Sequence, residues 1–215
     1  MRGFKPVILS VVILVLVAVG LVSYAGRGSR KPAPAAEDRT APKPESPPPA
    51  KSANPQVVMT TSLGTLTLEL DPERTPATAA NFLKYVDEKF YDGLIFHRVI
   101  QTFMIQGGGF TPDSQPKPAT HGPVVNESRN GGRNVRGTIA MARTEHVDSA
   151  TCQFFINTVD NPGLDYPNRG GYTVFGRVVE GLDVVDRIAA VPVRPDGISG
   201  PQPIENVLIT DVRRR

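Results

Sequence analysis

The chain has 215 residues, 40% of them hydrophobic, with a formal charge of +3, one cysteine (Cys152) and three histidines. That length suits one globular domain with appendages, and a lone cysteine excludes an intrachain disulfide or a thiolate metal site built from this chain alone. The positive excess sits outside the domain, with +2 in residues 1–25, +3 in residues 26–55 and −2 in residues 56–215, which removes the electrostatic case for a nucleic-acid partner. From Val7 to Val22 the chain is apolar except for Ser10 and follows Arg2 and Lys5, the layout of an export signal or a membrane anchor. Ser23 and Ala25 offer a cleavage site, whereas the length of the run approaches a membrane span, so residues 1–25 are expected to direct export and to be either removed or retained. Residues 26–55 hold eight prolines and almost nothing that can be buried, which makes them an extended tether. Their alternative use is as a proline-rich ligand for a partner, or as a substrate of the domain behind them.

The pattern changes after Pro55. In residues 65–70, Leu66, Leu68 and Leu70 alternate with Thr65, Thr67 and Glu69, which predicts a half-buried strand joined through Leu63-Gly64 to another at Val57 to Thr61. Thr75 and Pro76 then suit a helix start, with Ala79, Phe82, Leu83 and Val86 on one face. Short β-rich runs follow at Ile95 to Val99, Phe103 to Gln106, Thr138 to Ala142, Gln153 to Asn157 and Tyr172 to Val179. A second helix is predicted from Leu182 to Ala189, and "ENVLITDV" closes the domain as a strand. Many strands and two helices without strand-helix alternation point to an antiparallel barrel or sandwich, not a nucleotide-binding α/β sheet. "QGGGF", Gln106 to Phe110, lacks the lysine and following helix of a phosphate loop, so its glycines serve a tight exit from a strand and close backbone approach. His97, His121 and His146 lack the spacing of a metal-ligand pair.

Four motifs in order, "FHRVIQTFMIQGG", "RGTIAMART", "CQFFINT" and "YTVFGRVVEGLDVVDRI", resemble the cyclophilin-type peptidyl-prolyl isomerases over about Gln56 to Val212. The resemblance implies a mainly β fold, a closed eight-stranded antiparallel β-barrel capped by two α-helices, working without a cofactor on proline-containing polypeptides. Carried over by motif, Arg98 is similar to the catalytic arginine, and Phe103, Met104 and Gln106 to pocket residues of the same segment. Ala142 and Arg143 fall where relatives lay substrate backbone along a strand, though many have asparagine in place of Arg143. Gln153, Phe155 and Leu164 match a polar contact, a pocket floor and a wall, and Tyr172 stands where many relatives have histidine. Gly163 departs from the pattern, since tryptophan or phenylalanine usually stands there; weak cyclosporin binding is the expected result. Cys152 replaces a frequent serine and is read as a small buried side chain.

These residue types suit the reaction. Rotation about an X-Pro bond is opposed by amide resonance, with a barrier of about 18–20 kcal/mol. As the bond twists, the proline nitrogen regains a lone pair that a planar amide lacks, and a guanidinium aimed there binds the twisted form selectively. An apolar seat holds the ring, while Gln106 and Gln153 hold the carbonyl and orient Arg98. No proton moves, so His97 is read as a structural residue with satisfied hydrogen bonds and not as a base. The whole is expected to be an exported, monomeric isomerase that assists folding of extracytoplasmic proteins. The rivals are a proline-recognition or chaperone module with little turnover and a ligand-carrying barrel with a wide apolar interior.

Overall fold

The computed structural model of the protein describes residues 54–215, and there the alternation of Leu66, Leu68 and Leu70 acquires a physical meaning: all three side chains are fully buried. Each such burial is worth about 1.5–3 kcal/mol against exposure. They belong to β2 (Gly64–Leu70), which pairs antiparallel with β1 (Gln56–Thr61) through the expected turn. Thr67 on the other face is buried as well, its hydroxyl donating to Glu180 Oε2 at 2.8 Å. The chain continues through α1 (Pro76–Asp87), β3 (Phe96–Ile100), β4 (Met104–Gly107), β5 (Thr138–Met141), β6 (Phe154–Asn157), β7 (Val174–Glu180) and α2 (Leu182–Ala189). It ends with β8 (Val193–Gly197), β9 (Gly200–Pro203) and β10 (Ile209–Arg214).

Eight strands form one antiparallel sheet in the order β10-β1-β2-β7-β5-β6-β4-β3, and β8 and β9 form a separate hairpin. The fold is mainly β with two helices, as expected, but the expected closure is corrected: the sheet curls through 243° and stays open. Its edges, β3 and β10, are linked by an isolated Ile95–Leu208 bridge and by neighbouring backbone bonds such as Phe96 N–H to Val207 O at 3.0 Å. The flank of β3 is taken by β9. Pro195, Pro201 and Pro203 in that hairpin have no N–H to donate, so it cannot carry the ladder round to β10.

Helix α1 starts at Pro76 as predicted, but Thr75 does not cap it; the Thr75 hydroxyl donates to Asp71 O. The cap comes from Glu127, whose carboxylate accepts from Ala77 N–H (3.1 Å), Thr78 N–H (2.8 Å) and the Thr78 hydroxyl (2.7 Å). Its charge also favours the positive end of the helix dipole. Phe82 enters the centre of the core, with ring centroids 5.3 Å from Tyr91, 5.9 Å from Phe154 and 5.1 Å from Phe175. The main core fills the concave side of the sheet beneath α1 and α2. A second, smaller cluster of Met104, Ala140, Phe155 and Val174 is separate from it. In β6, Phe154 and Ile156 join the main core while Phe155 joins the small one, so the two clusters lie on opposite faces of the sheet.

Residues 1–25, expected to direct export, and most of the tether at 26–55 lie outside the described residues. Among the described residues, no helix is long and apolar enough to cross a membrane.

Candidate active site

Strand register builds the site. Arg98 on β3 stands opposite Gln106 on β4, Gln106 opposite Phe155 on β6, and Phe155 opposite Ala140 on β5. These four residues form one row across the face that carries the small apolar cluster. Phe103, Ala142, Leu164 and Tyr172 pack against that cluster at its half-exposed rim, and Met104 and Phe155 are its buried floor. The result is a shallow apolar hollow with one cation at its edge.

Arg98 is not ion-paired with any carboxylate among the described residues. Its Nη1 donates to Gln106 Oε1 at 3.4 Å and lies 3.8 Å from Met104 Sδ, and its guanidinium carbon sits 5.9 Å from the Phe103 ring centroid. Burial lowers its pKa, with Tyr172 opposing; an arginine keeps its charge regardless. Because Arg98 only donates, the carbonyl end of Gln106 must face it, so the Gln106 amide donates onward to Gln153 Oε1 at 3.0 Å. The chain Arg98–Gln106–Gln153 therefore ends on an NH2 group directed away from the arginine.

Glycines at the exit of β4 leave room for this chain and permit the close approach that the sequence predicts. A Cβ at Gly109 would fall 2.5 Å from the amide of Gln153, and one at Gly108 would fall 2.9 Å from Tyr91. On the outer side of Arg98, Gly200 of the β8–β9 hairpin closes the wall: a Cβ there would lie 3.4 Å from Nε, an atom that is buried without a hydrogen-bond partner. Sequence reasoning missed this hairpin, since three prolines in and beside short runs argue against strands; Gly197 and Gly200 around a two-residue tip were the available signal.

The rim is tied together by backbone bonds. Asn161 Nδ2 donates to Phe103 O at 2.8 Å, and Tyr172 N–H donates to Leu164 O at 2.9 Å. The Phe155 and Tyr172 rings meet edge to face at 5.8 Å. Gly163 is exposed, with open space where a Cβ would project. A cleft of about 250 Å³ runs beside the Gln106–Gln153 pair and is floored by Ala142, Ser149 and Thr151. Arg143 reaches the rim, but its side chain turns to loop carbonyls.

His97 lies fully buried beside Arg98, its ring 4.6 Å from Phe110. Among the described residues neither ring nitrogen makes a well-aligned hydrogen bond, and a weaker interaction with the Ile95 backbone is all that remains of the satisfied bonding the sequence reading expected. Burial first, and the Arg98 charge second, push its pKa down to about 4. It is neutral at physiological pH and faces no reacting group. Cys152 is buried, and burial raises its pKa, which fits a packing role. No cluster of three or more metal-ligating side chains occurs among the described residues.

A curled antiparallel sheet with two helices, carrying an arginine beside an apolar hollow on its outer face, defines the cyclophilin-like class of proteins. Residues 56–214 match the family described as cyclophilin type peptidyl-prolyl cis-trans isomerase/CLD, and the chain belongs to that family. It is a peptidyl-prolyl cis-trans isomerase. It is 53% identical over 143 residues to peptidyl-prolyl cis-trans isomerase A of Dickeya dadantii, covering 66% of this chain and 75% of that one. Against the peptidyl-prolyl cis-trans isomerase of Acinetobacter baylyi the identity is 50% over 162 residues, covering 75% and 86%. Among solved structures, a Cryptosporidium parvum cyclophilin crystallised in the presence of the dipeptide Ala-Pro superposes with a TM-score of 0.62 at 25% identity, covering 74% of this chain and 98% of that one.

Proposed function

We propose that this isomerase turns X-Pro bonds of extracytoplasmic polypeptides by binding the twisted amide, with Arg98 supplying the decisive donor. The observation that carries this reading is the Arg98 guanidinium, unpaired with any carboxylate among the described residues and held by Gln106 at the edge of the hollow. The proline ring sits among Phe103, Met104, Phe155, Leu164 and Tyr172, and the chain before it passes Ala142 and Arg143. The free amide of Gln153 donates to the substrate carbonyl, which keeps one side of the bond still while the other rotates. Arg98 then donates to the proline nitrogen as its lone pair returns, an interaction available only near the transition state. No covalent intermediate or proton transfer is needed, and apolar burial of one ring predicts weak, broad substrate affinity. On a short Ala-Pro peptide, Arg98→Ala should lower kcat/KM by roughly 10²–10³; equal rates in both proteins would overturn this assignment and favour a recognition module.

Residues 1–25 export the domain and residues 26–55 hold it off the membrane surface, as a monomer. The mass of the mature protein from a membrane fraction tests the anchor, and a chain starting at Gly26 would rule it out. The open space at Gly163 supports weak cyclosporin binding. Gly163→Trp should tighten that binding, and an unchanged titration would remove Gly163 as its cause.

A further inference from the structure

Arg143 stands at the exit of β5, where the motif places it among substrate contacts, and its side chain is turned to the carbonyls of the neighbouring loop. A guanidinium has five N–H donors. Nε donates to Gly171 O (3.2 Å), Nη1 to Thr144 O (2.9 Å) and Glu145 O (3.5 Å), and Nη2 to Arg169 O (2.7 Å) and Gly171 O (2.9 Å). Its flat face covers the Tyr172 ring, with the guanidinium carbon 4.3 Å from the ring centroid. From the other side, Asn126 Nδ2 donates to Gly170 O and Gly171 O, and the Ser128 hydroxyl donates to Gly170 O at 2.7 Å. Gly171 has φ +72, and a Cβ there would lie 2.6 Å from Ser128 Oγ, so the loop has no slack toward that side. The next residue is Tyr172, bonded through its amide to Leu164 and touching Phe155 by its ring.

We infer that Arg143 is a positioning residue: by clamping the loop at residues 169–171 and stacking on Tyr172, it fixes the Tyr172 wall of the proline hollow. This rests on the hollow being the proline seat proposed above. A lysine keeps the charge but has neither the planar fork nor the stacking face, so charge alone cannot replace it. The contribution falls on ground-state and transition-state binding alike, since the wall touches the ring and not the rotating bond, and it should therefore appear in KM.

The test uses the full chain with a short Ala-Pro peptide, comparing wild type, Arg143→Lys, Tyr172→Ala, the double variant, and Arg98→Ala as control. Arg143→Lys should raise KM about tenfold with kcat within about twofold. The double variant should be no worse than Tyr172→Ala alone, because the two residues act as one unit. Faster hydrogen exchange at the Tyr172 amide in Arg143→Lys reads the loop directly, even if activity falls for another reason. An unchanged KM, a loss that adds in full to that of Tyr172→Ala, or an unaltered Tyr172 amide would overturn the inference while Arg98→Ala remains impaired. Full activity in Arg98→Ala would instead remove the proline-seat reading, and this inference with it.

Discussion

Arg98 is useful because no carboxylate among the described residues neutralises it. A carboxylate partner would satisfy its donors in the ground state and leave none for the twisted amide; among the described residues its hydrogen-bond partners are a neutral glutamine oxygen and a thioether. Replacing it with lysine should recover little of the activity lost in Arg98→Ala, measured as kcat/KM, since a point charge on a flexible stem does not reproduce the fixed fork. Gly109 is predicted to matter for the same reason at one remove. In Gly109→Ala the new methyl displaces the flexible end of Gln153 from Gln106; activity should drop about tenfold while stability changes by less than about 1 kcal/mol, checked by peptide kinetics beside urea denaturation. His97 makes the stability of the fold depend on pH and takes no part in the chemistry. Its folded pKa of about 4 lies below the ordinary 6.5, so the unfolded chain binds the extra proton between those values. The fold keeps its full stability above pH 6.5 and loses about 3 kcal/mol of it as the pH falls toward 4, because only the unfolded chain readily takes up that proton. Urea denaturation at pH 7 and pH 4.5 should show wild type losing about 2–3 kcal/mol more than His97→Leu.

Helix α1 joins local and remote determinants. Its apolar face and Pro76 are visible in the sequence, and the structure buries Ala79, Phe82, Leu83 and Val86 as that face predicts. Its cap is not visible, because Glu127 arrives from a loop 49 to 50 residues away and no local motif announces it. Glu127→Ala should cost about 1–2 kcal/mol by urea denaturation, whereas Phe82→Ala, which empties the meeting point of three rings, should cost about 3–5 kcal/mol. The strands divide in the same way. Those with apolar alternation or β-branched runs fall within two residues of their predicted bounds at most positions, and α2 spans Leu182–Ala189 as predicted. The final strand begins at Ile209, later than "ENVLITDV" suggests, since Val207 and Leu208 are spent on the junction with the β3 edge.

In the whole molecule, both apolar clusters and every candidate site residue lie within residues 56–214. Removing residues 1–53 should therefore leave kcat/KM for a short peptide within about twofold, measured beside the intact chain. Composition and periodicity were enough to show a mainly β domain with two helices, because burial of alternate side chains depends on neighbours along the chain. The motifs were enough to mark Arg98, Gln106, Phe103, Met104, Gln153 and Phe155 as a set. The row that aligns Arg98, Gln106 and Phe155 across β3, β4 and β6 was not readable, since it depends on register between strands that are far apart in the chain. The open seam of the sheet, the hairpin against Arg98 and the turning of Arg143 into its loop belong to the same category. Each depends on which backbone donors and acceptors packing leaves available, and that is settled only when distant segments meet.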